Sequence, residues 1–253
     1  MTTQPALFTY LLRAADLNLI LGHRLSEWCG KGPVLEQDIA LINTALDILG
    51  QSRSLFAKAA ELEGLGKTED DLAYLRIENQ YLNPLICEQP NGHFGTTIAR
   101  QFFIDAYQFV LYDELQHSKD EFLAAFAEKS LKESRYHLRF SSEWLCRLGD
   151  GTEESHQKMQ EAIDDIWMYT GELFEQDEIE NQLINQNLIP KSKDLKIKWM
   201  DIVSKGLKQA CLTPPDPEAW MVSGGRQGRH SEHLGFILSD LQYLQRAYPN
   251  AEW

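Results

Sequence analysis

The sequence predicts an all-α protein built on a bundle of four long helices, and three observations carry that expectation. Apolar residues recur at steps of three and four along most of the 253 positions. Alternating apolar and polar runs, the mark of half-buried strands, are almost absent. Glycine, proline and capping residues mark the ends of the periodic stretches.

The first helix is expected from about Ala6 to Trp28, where Leu7, Leu11, Ala14, Asn18, Leu21, Leu25 and Trp28 form one row and GKGP ends it. The second runs from about Val34 to Glu63, with Pro33 near its start and Gly64 as its stop. Two apolar rows lie along it: Leu35, Ile39, Ile42, Leu46, Leu49, Phe56, and Leu41, Ala45, Ile48, Leu55, Ala59, Leu62. Rows roughly 120° apart imply a helix covered on more than one side. A shorter helix opens with a capping box, Thr68 to Asp71, and NPLICEQPNGHFG follows as an irregular connection.

The third long helix is expected over about Thr96–Gln116. A Ser118–Glu121 capping box starts the fourth, which ends near Gly149. Helices at about 154–175 and 193–211 come next, then the break LTPPDPEAWMVSGGRQG and a last helix near 230–247. The chain therefore reads as a single ferritin-like domain over 1–253. Core bundle helices occupy about 6–149 and accessory helices about 152–253.

Composition narrows the function. Hydrophobic content of 43% and charged content of 25% are ordinary for a globular chain. A net charge of −14 with no basic tract argues against nucleic acid and suits a more basic protein partner. Cys29, Cys87, Cys146 and Cys211 lie too far apart for a zinc knuckle or a disulfide framework, which suits a reducing compartment. The N-terminal segment lacks a basic leader, and Arg13, Asp16 and Asn18 interrupt its apolar run. No run approaches the ~20 apolar residues of a membrane span. A cytoplasmic protein without a membrane partner is expected.

Four-helix bundles that hold two irons draw a glutamate from each of two helices and a Glu-x-x-His from each of the others. Two literal matches occur, Glu114-Leu115-Gln116-His117 and Glu153-Glu154-Ser155-His156, and both fall at helix ends, where a solvated surface is the simpler reading. The interior rows are more telling. Leu123, Ala127, Ser130, Ser134, His137, Ser141 and Trp144 place small hydroxylic residues around an imidazole. Asp105 sits in the row Ile98, Phe102, Asp105, Phe109, Tyr112 and needs a polar partner there, with His137 as one candidate. A hydrogen-bonded core pair is the plainer reading and a metal site the sharper one. No Gly-x-Ser-x-Gly elbow points to a hydrolase.

The stretches RLSEWCGKGPVLEQDIALINTALDILGQSR, EQPNGHFGTTIARQFFIDA, ESRYHLRFSSEWLCRLGDGT and GRHSEHLGFILSDLQYLQR resemble the C-type structural subunits of bacterial phenylacetyl-CoA epoxidases. The resemblance implies a ferritin-like fold and a non-catalytic role in a multicomponent monooxygenase of aerobic phenylacetate catabolism. The implied partners are a homologous di-iron catalytic subunit, a small accessory subunit, and a reductase carrying FAD and an iron–sulfur cluster and using NADPH. A hetero-oligomer is implied, with a homodimer when the chain is isolated. Matched to the catalytic subunits, the resemblance puts Ile48 and Gln51 where one Glu-x-x-His would stand, and Ser134 and His137 where the other would stand. Asp105 and Glu27 match the two remaining carboxylates. The six are then vestigial ligand positions, and the chain holds no metal, cofactor or catalytic residue of its own. A stand-alone di-metal oxidase and a CoA-thioester-binding adaptor are the alternatives.

The glycine-rich segment 223–230 raises the second alternative. Gly224, Gly225 and Gly228 permit close backbone approach, while Arg226, Arg229 and His230 precede a helix start. A contact with CoA phosphates and a shaped loop against a partner subunit are both open. His230, Glu232 and His233 lack a third convincing zinc ligand.

Overall fold

The computed structural model describes residues 3–216, 218–249 and 251; Pro217, inside the expected break, lies outside them. In chain order the helices are α1 (Thr3–Ser26), α2 (Leu35–Glu63), α3 (Glu69–Tyr74), α4 (Phe94–Leu115) and α5 (Glu121–Gly149). After these come α6 (Glu153–Trp167), α7 (Glu178–Asn185), α8 (Ser192–Gln209), α9 (Glu232–Leu241) and α10 (Tyr243–Ala247). Short 3-10 turns cover Glu78–Gln80, Leu85–Glu88, Gly171–Phe174 and Gly225–Gln227, and no strand occurs among the described residues. The fold is all-α, as the periodicity predicts. The chain divides into two compact units, Met1–Pro90 with Ser223–Trp253, and Asn91–Val222.

In the first unit α1 and α2 pack antiparallel. Gln4 Nε2 donates to Leu62 O at 2.9 Å, and Ser52 Oγ to Ala15 O at 2.9 Å. Farther along, a Cβ on Gly22 would stand 2.8 Å from Leu49 Cγ. These three contacts fix one register, and the bare Gly22 lets the helices approach at its level. Gly64 ends α2 in the left-handed region at φ 69. The Thr68–Asp71 capping box forms as expected, with Thr68 N donating to Asp71 Oδ2 at 2.8 Å.

In the second unit α4 and α5 are also antiparallel. Phe94 meets Trp144 edge-on at 5.1 Å near one end, and Tyr112 meets Phe126 at 5.6 Å near the other. Behind α4, Phe103, Trp167, Trp199 and Phe174 pack ring on ring, and Trp199 Nε1 donates to Phe103 O at 2.9 Å.

Several expectations need correction. The two-sided cover predicted for α2 is found on α4, where residues 97–106 are all buried. On α2 the row from Leu41 is buried, but Leu35, Ile39 and Leu46 of the other row are 70%, 50% and 62% exposed. The cap of α5 is Asp120, whose Oδ1 accepts from Leu123 N at 2.9 Å, while Ser118 Oγ donates to Leu188 O instead. The helix expected over 154–175 stops at Trp167, and a 3-10 turn follows. The helix expected near 230–247 breaks at Gln242, whose amide donates to Arg76 O and Tyr81 Oη, both at 2.8 Å. α7 was not anticipated, although its Asp177–Glu180 capping box is written in the sequence.

Candidate functional site

The expected ligand positions fall into two sets, one in each unit. In the first unit Ile48 and Gln51 are buried one turn apart on the inner face of α2. Ile48 offers no donor, and Gln51 offers no charge. Glu27 is not at their level. With Ala15 against Ser52 and Gly22 against Leu49, the register sets Glu27 about 6–12 Å farther along the pair than Ile48, at 1.5 Å per residue. It lies beyond the end of α1, 41% exposed, and accepts from Arg24 Nη1 at 2.8 Å. In this structure Glu27 is a rim residue in a local ion pair with Arg24.

In the second unit a polar seam runs between α4 and α5. Gln101, Asp105 and Gln108, spaced four and three apart, line α4; Ser130, Ser134, His137 and Ser141 line α5, and all seven are buried. Gln101 Nε2 donates to Asp105 Oδ1 at 2.6 Å, whereas Asp105 Oδ2, Gln101 Oε1 and Ser134 Oγ have no hydrogen-bond partner among the described residues. Burial pushes the Asp105 carboxyl up to about 6, against the opposing pull of His137, Ser141 and Gln101. The structure thus brings together three of the expected residues, Asp105, Ser134 and His137. It adds two glutamines the sequence reading missed, although their spacing from Asp105 was a helical-face signal.

Neither set fits a pair of irons. The α2 positions supply no anion, and the seam supplies one carboxylate and one imidazole beside neutral groups. Among the described residues no three of His, Cys, Asp and Glu stand close enough to hold a metal ion. The two literal Glu-x-x-His matches lie at helix ends. Glu114 pairs with Lys198, Glu153 and His117 are exposed, and His156 Nδ1 lies 2.6 Å from Gly149 O.

The 223–230 loop is built into the first unit. Gly224 and Gly225 are buried, and Arg226 O accepts from Arg13 Nη2 at 3.4 Å. Gly228 has φ 77, and a Cβ there would fall 2.3 Å from Asn79 O, so the glycine lets the loop close on its own chain. His230, expected among the loop's contact residues, points inward with its side chain sealed from solvent. Its Nδ1 lies 2.5 Å from Glu88 Oε1 and its Nε2 2.8 Å from Tyr81 O, which can only accept. Glu88 also accepts from Asn83 Nδ2 at 3.0 Å, from Ser231 N at 2.9 Å and from Ser231 Oγ at 2.6 Å. Three donors besides the imidazole converge on Glu88, and with Nε2 donating to the Tyr81 carbonyl the raised His230 pKa favours an imidazolium that donates from both nitrogens. His230 and Glu88 form a buried ion pair that also caps α9 from a distance. Burial works against the charged imidazole, but Glu88, the Tyr81 carbonyl and Asp16 outweigh it and hold the pKa above the ordinary value. Arg229 is the exposed cation of the loop.

A second buried pair, Asp16 with Arg76, braces the same unit. Arg76 Nη1 donates to Asp16 Oδ2 at 2.9 Å and Nη2 to Oδ1, while Leu82 N donates to Oδ2 at 2.8 Å. The Arg76 guanidinium lies 4.2 Å from the centre of the Tyr81 ring.

No helix among the described residues is long and apolar enough to cross a membrane. The chain is 49% identical over 247 residues to the C-type subunit of the 1,2-phenylacetyl-CoA epoxidase of Escherichia coli (strain K12), an alignment covering 98% of this chain and 99% of that protein. The model of the phenylacetic acid catabolic protein family matches residues 1–253. With its ferritin-like, all-helical architecture, the chain belongs to the phenylacetic acid catabolic protein family.

Proposed function

We propose that this chain is the non-catalytic subunit of a multicomponent phenylacetyl-CoA epoxidase, acting in the cytoplasm in phenylacetate catabolism. Its residues 1–253 would serve as one ferritin-like domain that supports a homologous di-iron subunit. That partner binds the irons and activates oxygen; a reductase with FAD, an iron–sulfur cluster and NADPH supplies electrons, and a small accessory subunit completes the assembly. The chain's contribution is mechanical. A rigid helical face limits the motions of a neighbour's ligand-bearing helices without donating ligands.

Two findings support the reading: the near full-length identity with a C-type epoxidase subunit, and the chemistry of the buried positions. The observation that carries it is that Ile48, Gln51 and Ser134 are buried without a carboxylate among them. The test is co-expression with the di-iron subunit, followed by purification and iron counting on each separated chain. Iron is expected to follow the other subunit, and oxygen consumption to require it. Stoichiometric iron in this chain with oxygen consumption in isolation would replace the reading with a stand-alone di-metal oxidase. Phenylacetyl-CoA binding by the isolated chain, lost on Arg229→Ala, would replace it with a thioester-binding adaptor.

A further inference from the structure

On α2 the residues Leu35, Ile39, Ile42, Leu46 and Leu49 follow one another at steps of four, three, four and three. That is the spacing of a coiled-coil seam, which a globular core does not require. Leu35, Ile39 and Leu46 stand in solvent, Ile42 is partly covered, and Leu49 closes the row where it packs toward Gly22 of α1. The stripe runs about 21 Å along the helix at 1.5 Å per residue. Scattered exposed leucines are ordinary, but an unbroken heptad row is a surface shaped for another helix.

Charge selects the occupant. From Val34 to Ser52 the only charged side chains are Glu36, Asp38 and Asp47. A second copy packed antiparallel about Ile42 would bring Asp47 of each chain toward Glu36 of the other, on the same flank of the seam. Packed parallel, Glu36 of each chain would lie beside Asp38 of the other. Like charges across the seam disfavour both arrangements. A helix with an apolar seam and lysine or arginine on its flanks meets no such penalty, and the chain's net charge of −14 steers it inward.

We propose that the Leu35–Leu49 stripe of α2 is a docking seam for an amphipathic helix of the di-iron subunit, bearing basic residues beside its apolar row. This rests on the functional reading above and names the surface through which it operates. The stripe forms the apolar centre of a wider contact, since five side chains alone cover less than a standard interface.

The test measures binding of purified di-iron subunit to the wild-type chain, to Ile39→Glu/Leu46→Glu and to Ile197→Glu. Ile197 is an exposed apolar residue on α8 and serves as the control. Both variants are expected to keep the wild-type helix content and melting temperature, because the altered side chains are in solvent. The double variant should bind about tenfold more weakly or worse, Ile197→Glu as wild type, and Glu36→Lys should weaken binding most at low salt. Wild-type binding by the double variant would overturn the seam while leaving the functional reading standing. No binding by the wild-type chain would overturn both. A wild-type homodimer that Ile39→Glu/Leu46→Glu dissociates, with binding to the di-iron subunit unchanged, would assign the stripe to self-association and overturn the proposal.

Discussion

Asp16 and Glu88 in the first unit and Asp105 in the second are all sealed from solvent, yet their surroundings differ in kind. Asp16 receives a guanidinium fork and a backbone amide; Glu88 receives a histidine, an asparagine and both donors of Ser231. Asp105 receives one glutamine amide with only His137 and Ser141 beside it, and its second oxygen has no hydrogen-bond partner among the described residues. The contrast shows two uses of buried charge. Where donors converge, the carboxylate ties distant segments together; where they do not, it weakens the helix pair that contains it.

The largest expected effect tests the first half of that contrast. Glu88→Ala leaves His230 buried and charged without its partner and uncaps α9, so chemical denaturation should report a loss of about 3–5 kcal/mol. A loss below about 1 kcal/mol would mean that the clasp binds nothing that water cannot replace.

The second change should act in the opposite direction. Asp105 holds its proton to about 6 when folded, against an ordinary value of 3.8, so the folded protein is penalised once the pH exceeds about 6 and not below 3.8. Asp105→Asn keeps an acceptor for Gln101 and removes the charge. It should therefore stabilise the protein at pH 7 by about 1–3 kcal/mol, with the gain fading as the pH falls toward 4. Destabilisation at pH 7 would show that His137 compensates the charge better than the raised pKa implies.

The smallest effect sharpens the comparison by its pH window. His230 has a raised folded pKa, so its contribution is complete below 6.5 and declines as the pH rises through the folded value. The Asp105 penalty is already complete by then, which leaves His230 to account for a decline in stability on the alkaline side. His230→Gln should flatten that slope in pH-dependent melting curves, and an unchanged slope would assign it to another group.

The helices were legible because three- and four-residue periodicity is local, and so were the Thr68 cap and the Gly64 stop. Which face of α2 would be covered was not, because both rows are equally apolar and only packing tells them apart. The Glu88–His230 clasp joins residues 142 apart and leaves no local pattern. Asp16 did leave a trace, as a carboxylate interrupting an apolar helix, but its partner Arg76 lies sixty positions away. In the candidate site, Asp105, Ser134 and His137 were found from helical spacing. That Glu27 lies on the rim was not legible, because nothing in the sequence sets how far α1 runs past α2.

The Glu88 contacts also bear on biosynthesis. The 91–222 stretch leaves the ribosome whole, whereas the earlier portion lacks the last helices that complete its polar interior. Until those final residues emerge, Glu88 faces water or a chaperone. The Glu88 clasp can therefore close only after residues 230 and 231 have been made.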